Sequence, residues 1–172
     1  MSVLTKKLQK FRDISVKLCL SERCGEAVKM CDAALEMLDG SPEMSTPEGP
    51  AWKVSLMATK ASALMAQKDA DGALKCYEKA LEIQASLPKS PALAYLLDSM
   101  SKAYEARGDS ANASACRVAA LEALEEASPE SRPLVAAKYM EAADALEASG
   151  RAAEAVELRR RARALDPDAG RK

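Results

Sequence analysis

The side chains in this sequence that could do chemistry are five cysteines, twenty-six carboxylates and a run of arginines near the C-terminal end. The cysteines are Cys19, Cys24, Cys31, Cys76 and Cys116. Their number is odd, no two form a Cys-x-x-Cys, and the chain holds no histidine to complete a ligand set. Neither a disulfide framework nor a zinc site follows. They read as small packing residues, and unpaired thiols point to a reducing, intracellular and so cytoplasmic setting. Without histidine the commonest general base is missing. The seven glycines are scattered and form no loop that could cradle a phosphate. Pairs such as Glu125 and Glu126 read as a solvated helix face. Arg159, Arg160, Arg161 and Arg163 suit the C-terminal end of a helix and the polar outer face of a terminal repeat, with a phosphate or an acidic partner as the other reading. The expectation is no enzyme, no cofactor and no metal.

Those residues lie on elements that repeat. Between Ala61 and Ala80 the chain reads as two amphipathic helices folded back at the polar break Gln67-Lys68-Asp69. Ala61 and Leu64 share one face of the first helix, and Ala73, Tyr77 and Ala80 share one face of the second. Counted from Ala61 as position 0, these are positions 3, 12, 16 and 19. The same set recurs without a gap at Ser15, Leu18, Ala27, Cys31 and Ala34, at Ser101, Tyr104, Ala113, Arg117 and Ala120, and at Ala143, Leu146, Ala155, Arg159 and Ala162. The breaks fall at Glu22-Arg23, Gly108-Asp109 and Gly150-Arg151. Paired prolines precede the later copies (Pro47 and Pro50, Pro88 and Pro91, Pro129 and Pro133). Proline fits a first helical turn, where the N–H it lacks would be unpaired.

Helix pairs with this small–large spacing, a Gly-Asp turn and a closing Asp166-Pro167 resemble the tetratricopeptide repeat (TPR) family. The resemblance runs from about Leu8 to Pro167. It departs from the standard repeat of about 34 residues: Ala27, Ala73, Ala113 and Ala155 are spaced by 46, 40 and 42 residues. The offsets inside each copy are intact, so the extra residues lie between copies. Longer helices with Pro-rich connections are similar to the long-repeat branch, as in kinesin light chains or soluble NSF attachment proteins. The resemblance implies an all-α, right-handed α-solenoid of four antiparallel helix pairs, a TPR-like superhelix. We expect one domain over 1–167, with repeats at 3–38, 50–87, 91–127 and 133–165, a surface loop at 40–49 and a frayed tail at 168–172.

Composition agrees with a helical core. Hydrophobic residues make up 48% of the 172 but aromatics only 3%, so alanine and leucine must do the packing. A net charge of -1 speaks against nucleic-acid or general membrane-surface binding. No apolar run approaches the roughly 20 residues of a membrane span. The basic amphipathic stretch Val3 to Leu20 resembles a targeting segment in part, but Phe11 to Leu18 already belong to the first repeat. Trp52, the single tryptophan, either packs between adjacent pairs or stands at a binding edge. In GSPEMSTPEG, residues 40–49, Ser41, Ser45 and Thr46 beside Pro42 and Pro47 read as turn residues that could also accept phosphate.

Arrays of the resembled family imply binding along a groove lined by the first helices. The non-core face of those helices then offers Arg12, Asp13 and Val16, followed by Ser55, Thr59 and Ser62, by Tyr95, Asp98, Lys102 and Glu105, and by Met140, Glu141, Asp144 and Glu147. Family members that clamp the C-terminal carboxylate of heat-shock chaperones use lysines, arginine and asparagines here. The matching positions in this chain are mostly Ala, Ser, Asp or Glu, so that ligand is not carried over. The expectation is a protein-interaction adaptor or scaffold that takes a peptide or helix of another protein, basic or amphipathic. The alternatives are a small repeat chaperone of a secreted or assembling client, a trafficking factor like the NSF attachment proteins, and a unit that self-associates through its terminal helices.

Overall fold

A computed structural model describes residues 2–88 and 90–169. Residues 170–172, the end of the expected tail, lie outside the described residues. Eight α-helices and two 3-10 turns make up the described residues, with no strand among them. The helices are α1 Val3–Leu20, α2 Cys24–Asp39, α3 Gly49–Ala66, α4 Ala70–Gln84, α5 Pro91–Ala106, α6 Ser110–Ala127, α7 Arg132–Ala148 and α8 Ala152–Leu165. Pro50, Pro91 and Pro133 each fall within the first turn of a helix, where a missing N–H costs nothing.

The chain forms two compact units. The first holds Met1–Pro88 with Ala103–Gly108, and α1 packs on α2, α2 on α3 and α3 on α4 within it. Leu8, Ala34, Leu38 and Leu56 form one of its cores, with Phe11, Met44 and Trp52 packed against them. The second unit holds Lys89–Lys102 with Asp109–Lys172. Its core gathers Leu121 from α6, Val135, Tyr139, Ala143 and Leu146 from α7, and Ala155, Leu158 and Ala162 from α8.

The small positions of the repeat are where the helices approach. Ala27, Ala34, Ala61, Ala73, Ala80, Ala113, Ala120, Ala143, Ala155 and Ala162 are all buried. Ser15 and Ser101 share the slot of Ala61 and are also buried, each donating its hydroxyl to a carbonyl of its own helix, Phe11 O and Asp98 O, at 2.8 Å. The back-bond removes the cost of placing a polar atom in the core.

Each break is built alike. The residue at position 7 has a left-handed backbone in all four copies: Glu22 (φ 61°), Lys68 (64°), Gly108 (82°) and Gly150 (80°). In the first, second and fourth copies the next residue folds its N–H back onto the carbonyl at position 3. Arg23 donates to Leu18 at 2.8 Å, and Asp69 to Leu64 and Arg151 to Leu146, both at 2.9 Å. This is the Schellman arrangement, which uses carbonyls that a helix end would otherwise leave unpaired. The second helix then starts in one of two ways. Asp69 and Asp109 accept N–H bonds from Gly72 (2.8 Å) and Asn112 (3.1 Å), as acidic N-caps do. Arg23 and Arg151 cannot accept, and instead grip Glu26 and Glu154 three residues on with two N–H bonds each.

Candidate functional site

In the second unit, α5, α6 and α7 enclose a cavity of about 710 Å³. Its walls follow helical spacing. Tyr95, Asp98 and Lys102 stand on one face of α5, and Leu134, Lys138 and Glu141 on one face of α7. The floor is α6, with Arg117, Ala120, Leu121 and Leu124 at intervals of three and four. Two large apolar side chains face solvent at its mouth, Tyr95 at 61% exposure and Leu134 at 57%. Against a buried floor of Ala120 and Leu121, they form an apolar slot that no described residue of this unit fills.

The rim charges are already matched within the chain. Lys102 donates to Asp98 at 2.6 Å, one helical turn apart, and Lys138 donates to Glu141 at 2.9 Å. Exposed pairs of this kind are each worth about 0.2–0.5 kcal/mol, enough to bias the side chains toward each other. Asp98 and Glu141 therefore sit on edges of mixed, locally balanced charge.

The next acids along α7 are engaged as well. Arg159 of α8 reaches across to Asp144 at 2.8 Å and also binds Glu147. The same register operates in the second copy, where the Tyr77 hydroxyl lies 3.3 Å from Ser62 Oγ. Positions 1 and 16 thus meet in both repeats, and the residue types decide between a neutral hydrogen bond and an ion pair. Arg160 and Arg161 are also internally bound. Arg160 pairs with Glu157 at 2.7 Å, and Arg161 binds both Glu157 and Glu122. The two guanidinium groups hold the Glu157 carboxyl at about 2, well below its usual range.

The remaining expected groove residues are placed as follows. Met140 packs against the core of the second unit, while Glu105 is exposed and belongs to the first. Also in the first unit, the Arg12 guanidinium lies 5.5 Å from the centre of the Trp52 ring and its Nη1 is 3.5 Å from Ser55 Oγ. Asp13 sits 3.5 Å from Arg12. Thr59 donates its hydroxyl to the Ser55 carbonyl at 2.8 Å, and Val16 is 47% exposed. Trp52 is half-buried against the Leu8–Leu38–Leu56 core.

Sequence reasoning missed Leu134, Lys138 and the α6 floor. One signal for Leu134 was available: it stands nine residues before Ala143, as Trp52 stands nine before Ala61. The floor could not be read, because a second-helix face meets the cavity only through the packing of α5 and α7 around it.

The five cysteines lie on α1, α2, α4 and α6. All five are free thiols, and burial pushes the pKa of Cys31, Cys76 and Cys116 upward. The Cys19 thiol rises to about 11, from burial first and the neighbouring Cys24 second. At these four, thiolate, the nucleophilic form, is therefore disfavoured. No group of three or more potential ligands that could hold a metal ion occurs among the described residues, and none of their helices is long and apolar enough to cross a membrane.

The sequence model of the family described as tetratricopeptide repeat matches residues 54–127. No curated protein matches the chain. Among solved structures, a variant of a Podosopora anserina protein assigned as a kinesin light chain with nearly identical TPR-like repeats shares 22% identity, with a TM-score of 0.69 over 98% of this chain and 78% of that one. A second structure of that kind gives 20% identity and a TM-score of 0.57, covering all of both chains. BtubC (BKLC) from P. vanneervenii gives 16% and 0.54, over 98% of this chain and 75% of its own. The shared fold is an all-α, TPR-like solenoid, as the resemblance implied.

Proposed function

We propose, from the premise that this is a tetratricopeptide-repeat protein and hence a protein-interaction scaffold, that it acts as a non-catalytic adaptor. Its α5–α6–α7 cavity holds an amphipathic segment of another protein, apolar side inward. One observation carries the reading: Tyr95 and Leu134 are left largely exposed above a buried apolar floor. Scattered exposed hydrophobics are ordinary, whereas two at the mouth of one concave slot mark a contact surface.

The pairing of the rim charges sharpens the choice of partner. A polybasic peptide would have to displace Lys102 and Lys138 from Asp98 and Glu141. An apolar strip flanked by mixed charge need not. Amphipathic helices dock in this manner, through anchors spaced three and four apart.

The test is selection from a displayed library of helical peptides, followed by affinities for the wild type and Leu134→Asp. Covering a side chain such as Leu134 contributes on the order of 1–3 kcal/mol, so a charge there should weaken binding by about tenfold or more. The reading predicts winners with apolar residues at helical spacing and this loss of affinity. Polybasic winners whose affinity survives Leu134→Asp would overturn it.

A further inference from the structure

We propose that Thr46 is a phosphoacceptor for proline-directed protein kinases, and that its phosphate releases the turn Pro42–Ser45 from the start of α3. Four Ser/Thr-Pro pairs occur in the chain, Ser41-Pro42, Thr46-Pro47, Ser90-Pro91 and Ser128-Pro129, and all lie in connections between helix pairs. They differ in access. Ser41 and Ser90 are half-buried, Ser128 is buried at 9% exposure, and only Thr46 is exposed. Its backbone is extended (φ -82°, ψ 159°), the conformation a following proline favours and the one in which a kinase groove holds its substrate.

The hydroxyl now does a structural job. Thr46 Oγ1 donates to the Glu43 carbonyl at 2.7 Å, beside the Thr46 backbone N–H at 3.0 Å, and the two together tie off the 3-10 turn. That turn lies directly on α3: a Cβ added at Gly49 would stand 2.4 Å from the same Glu43 carbonyl oxygen and 2.7 Å from Met44 Cα. Met44 in turn packs against the core that contains Trp52. Thr46, Glu43, Glu48 and Trp52 line one cavity of about 450 Å³.

In the transfer, the γ-phosphorus of ATP forms a bond to Thr46 Oγ1 and its bond to the β-γ bridging oxygen breaks. ADP leaves, and the hydroxyl proton passes to the kinase base. The ester oxygen has no proton to give Glu43. The new charge, about -1.5 to -2, is repelled by the Glu43 and Glu48 carboxylates that line the same cavity. This repulsion pulls the side chain off the turn.

The full chain is incubated with a cyclin-dependent kinase and Mg-ATP, and the products are mapped by peptide mass. A peptide spanning residues 40–52 serves as the positive control. The expected result is one phosphoryl group, on Thr46, with none on Thr46→Val and a red shift of Trp52 emission on labelling. Labelling of the peptide but not of Thr46 in the folded chain would overturn the proposal. So would labelling of Ser41 or Ser128 in preference to Thr46, or Trp52 emission that stays put once Thr46 carries its phosphate.

Discussion

Lys68 occupies a backbone conformation that two of the other repeats give to glycine, and replacing it with glycine should stabilise the protein. Its φ of 64° lies in the left-handed region, as do those of Gly108 and Gly150 at the same repeat position. An L-residue there costs roughly 1–2 kcal/mol. Glycine removes that cost but raises the entropy of the unfolded chain, worth about 0.4–1 kcal/mol. Lys68→Gly should therefore gain about 0.5–1 kcal/mol net, or about 1–4 °C in Tm for a chain of this size. The converse variant, Gly150→Ala, gives a clean comparison because an added Cβ would meet no atom within 4 Å. It carries backbone strain without a clash and should lose a similar amount. Urea unfolding followed by far-UV circular dichroism measures both, with equal m-values as the check that the unfolded states are alike. A loss of stability in Lys68→Gly, or shifts of the same sign in both variants, would refute the reasoning.

Other outcomes follow from the same geometry. Asp69→Ala removes the acceptor of the Gly72 N–H and should cost about 0.5–2 kcal/mol in the same urea assay. Ala155→Leu forces a larger side chain into a fully buried helix contact and should cost about 1–3 kcal/mol. Gly49→Ala drives a Cβ into the Glu43 carbonyl, so the turn must shift and Trp52 emission should change while helix content stays constant. The Glu157 carboxyl titrates at about 2 because Arg160 and Arg161 bind its charged form. Its folded pKa is depressed, so its contribution to stability is complete above the ordinary carboxylate range and disappears as pH falls toward 2. Carboxyl NMR should show that low midpoint moving upward in Arg160→Ala and, because the group is exposed, in high salt.

Helix positions were legible because the repeat leaves a periodic trace. α1, α6 and α8 begin and end where the pattern placed them, and the four breaks coincide with the four left-handed residues. α2, α3, α5 and α7 differ by one residue at one or both ends, and α4 departs most. The pattern carried it to Leu87, but it ends at Gln84. The residue before Pro88 is disfavoured in the helical region, and Ser86 and Leu87 instead tighten into turns on Ile83 and Gln84. Residues 40–49 read as a plain surface loop. The 3-10 turn within them is fixed by Met44 against the core and by the close approach to Gly49, and both contacts depend on tertiary packing.

The site was half legible. Counting turns places Tyr95, Asp98 and Lys102 on one face of α5 and Glu141 on α7, and all four line the cavity. The state of their charges could not be read. Lys102 and Lys138 neutralise Asp98 and Glu141 from their own helices, and Arg159 takes Asp144 and Glu147 from the next. Side-chain reach across a helix pair decides this, and linear spacing does not record it.

The most direct test of the central claim is the salt dependence of affinity for a peptide selected on the wild-type protein, measured by isothermal titration. An apolar slot with self-paired rim charges predicts nearly constant affinity between low and high salt, with a negative heat-capacity change from buried apolar surface. Affinity that falls by an order of magnitude or more as salt is raised, with no heat-capacity change, would mean that charge holds the ligand and would contradict the account.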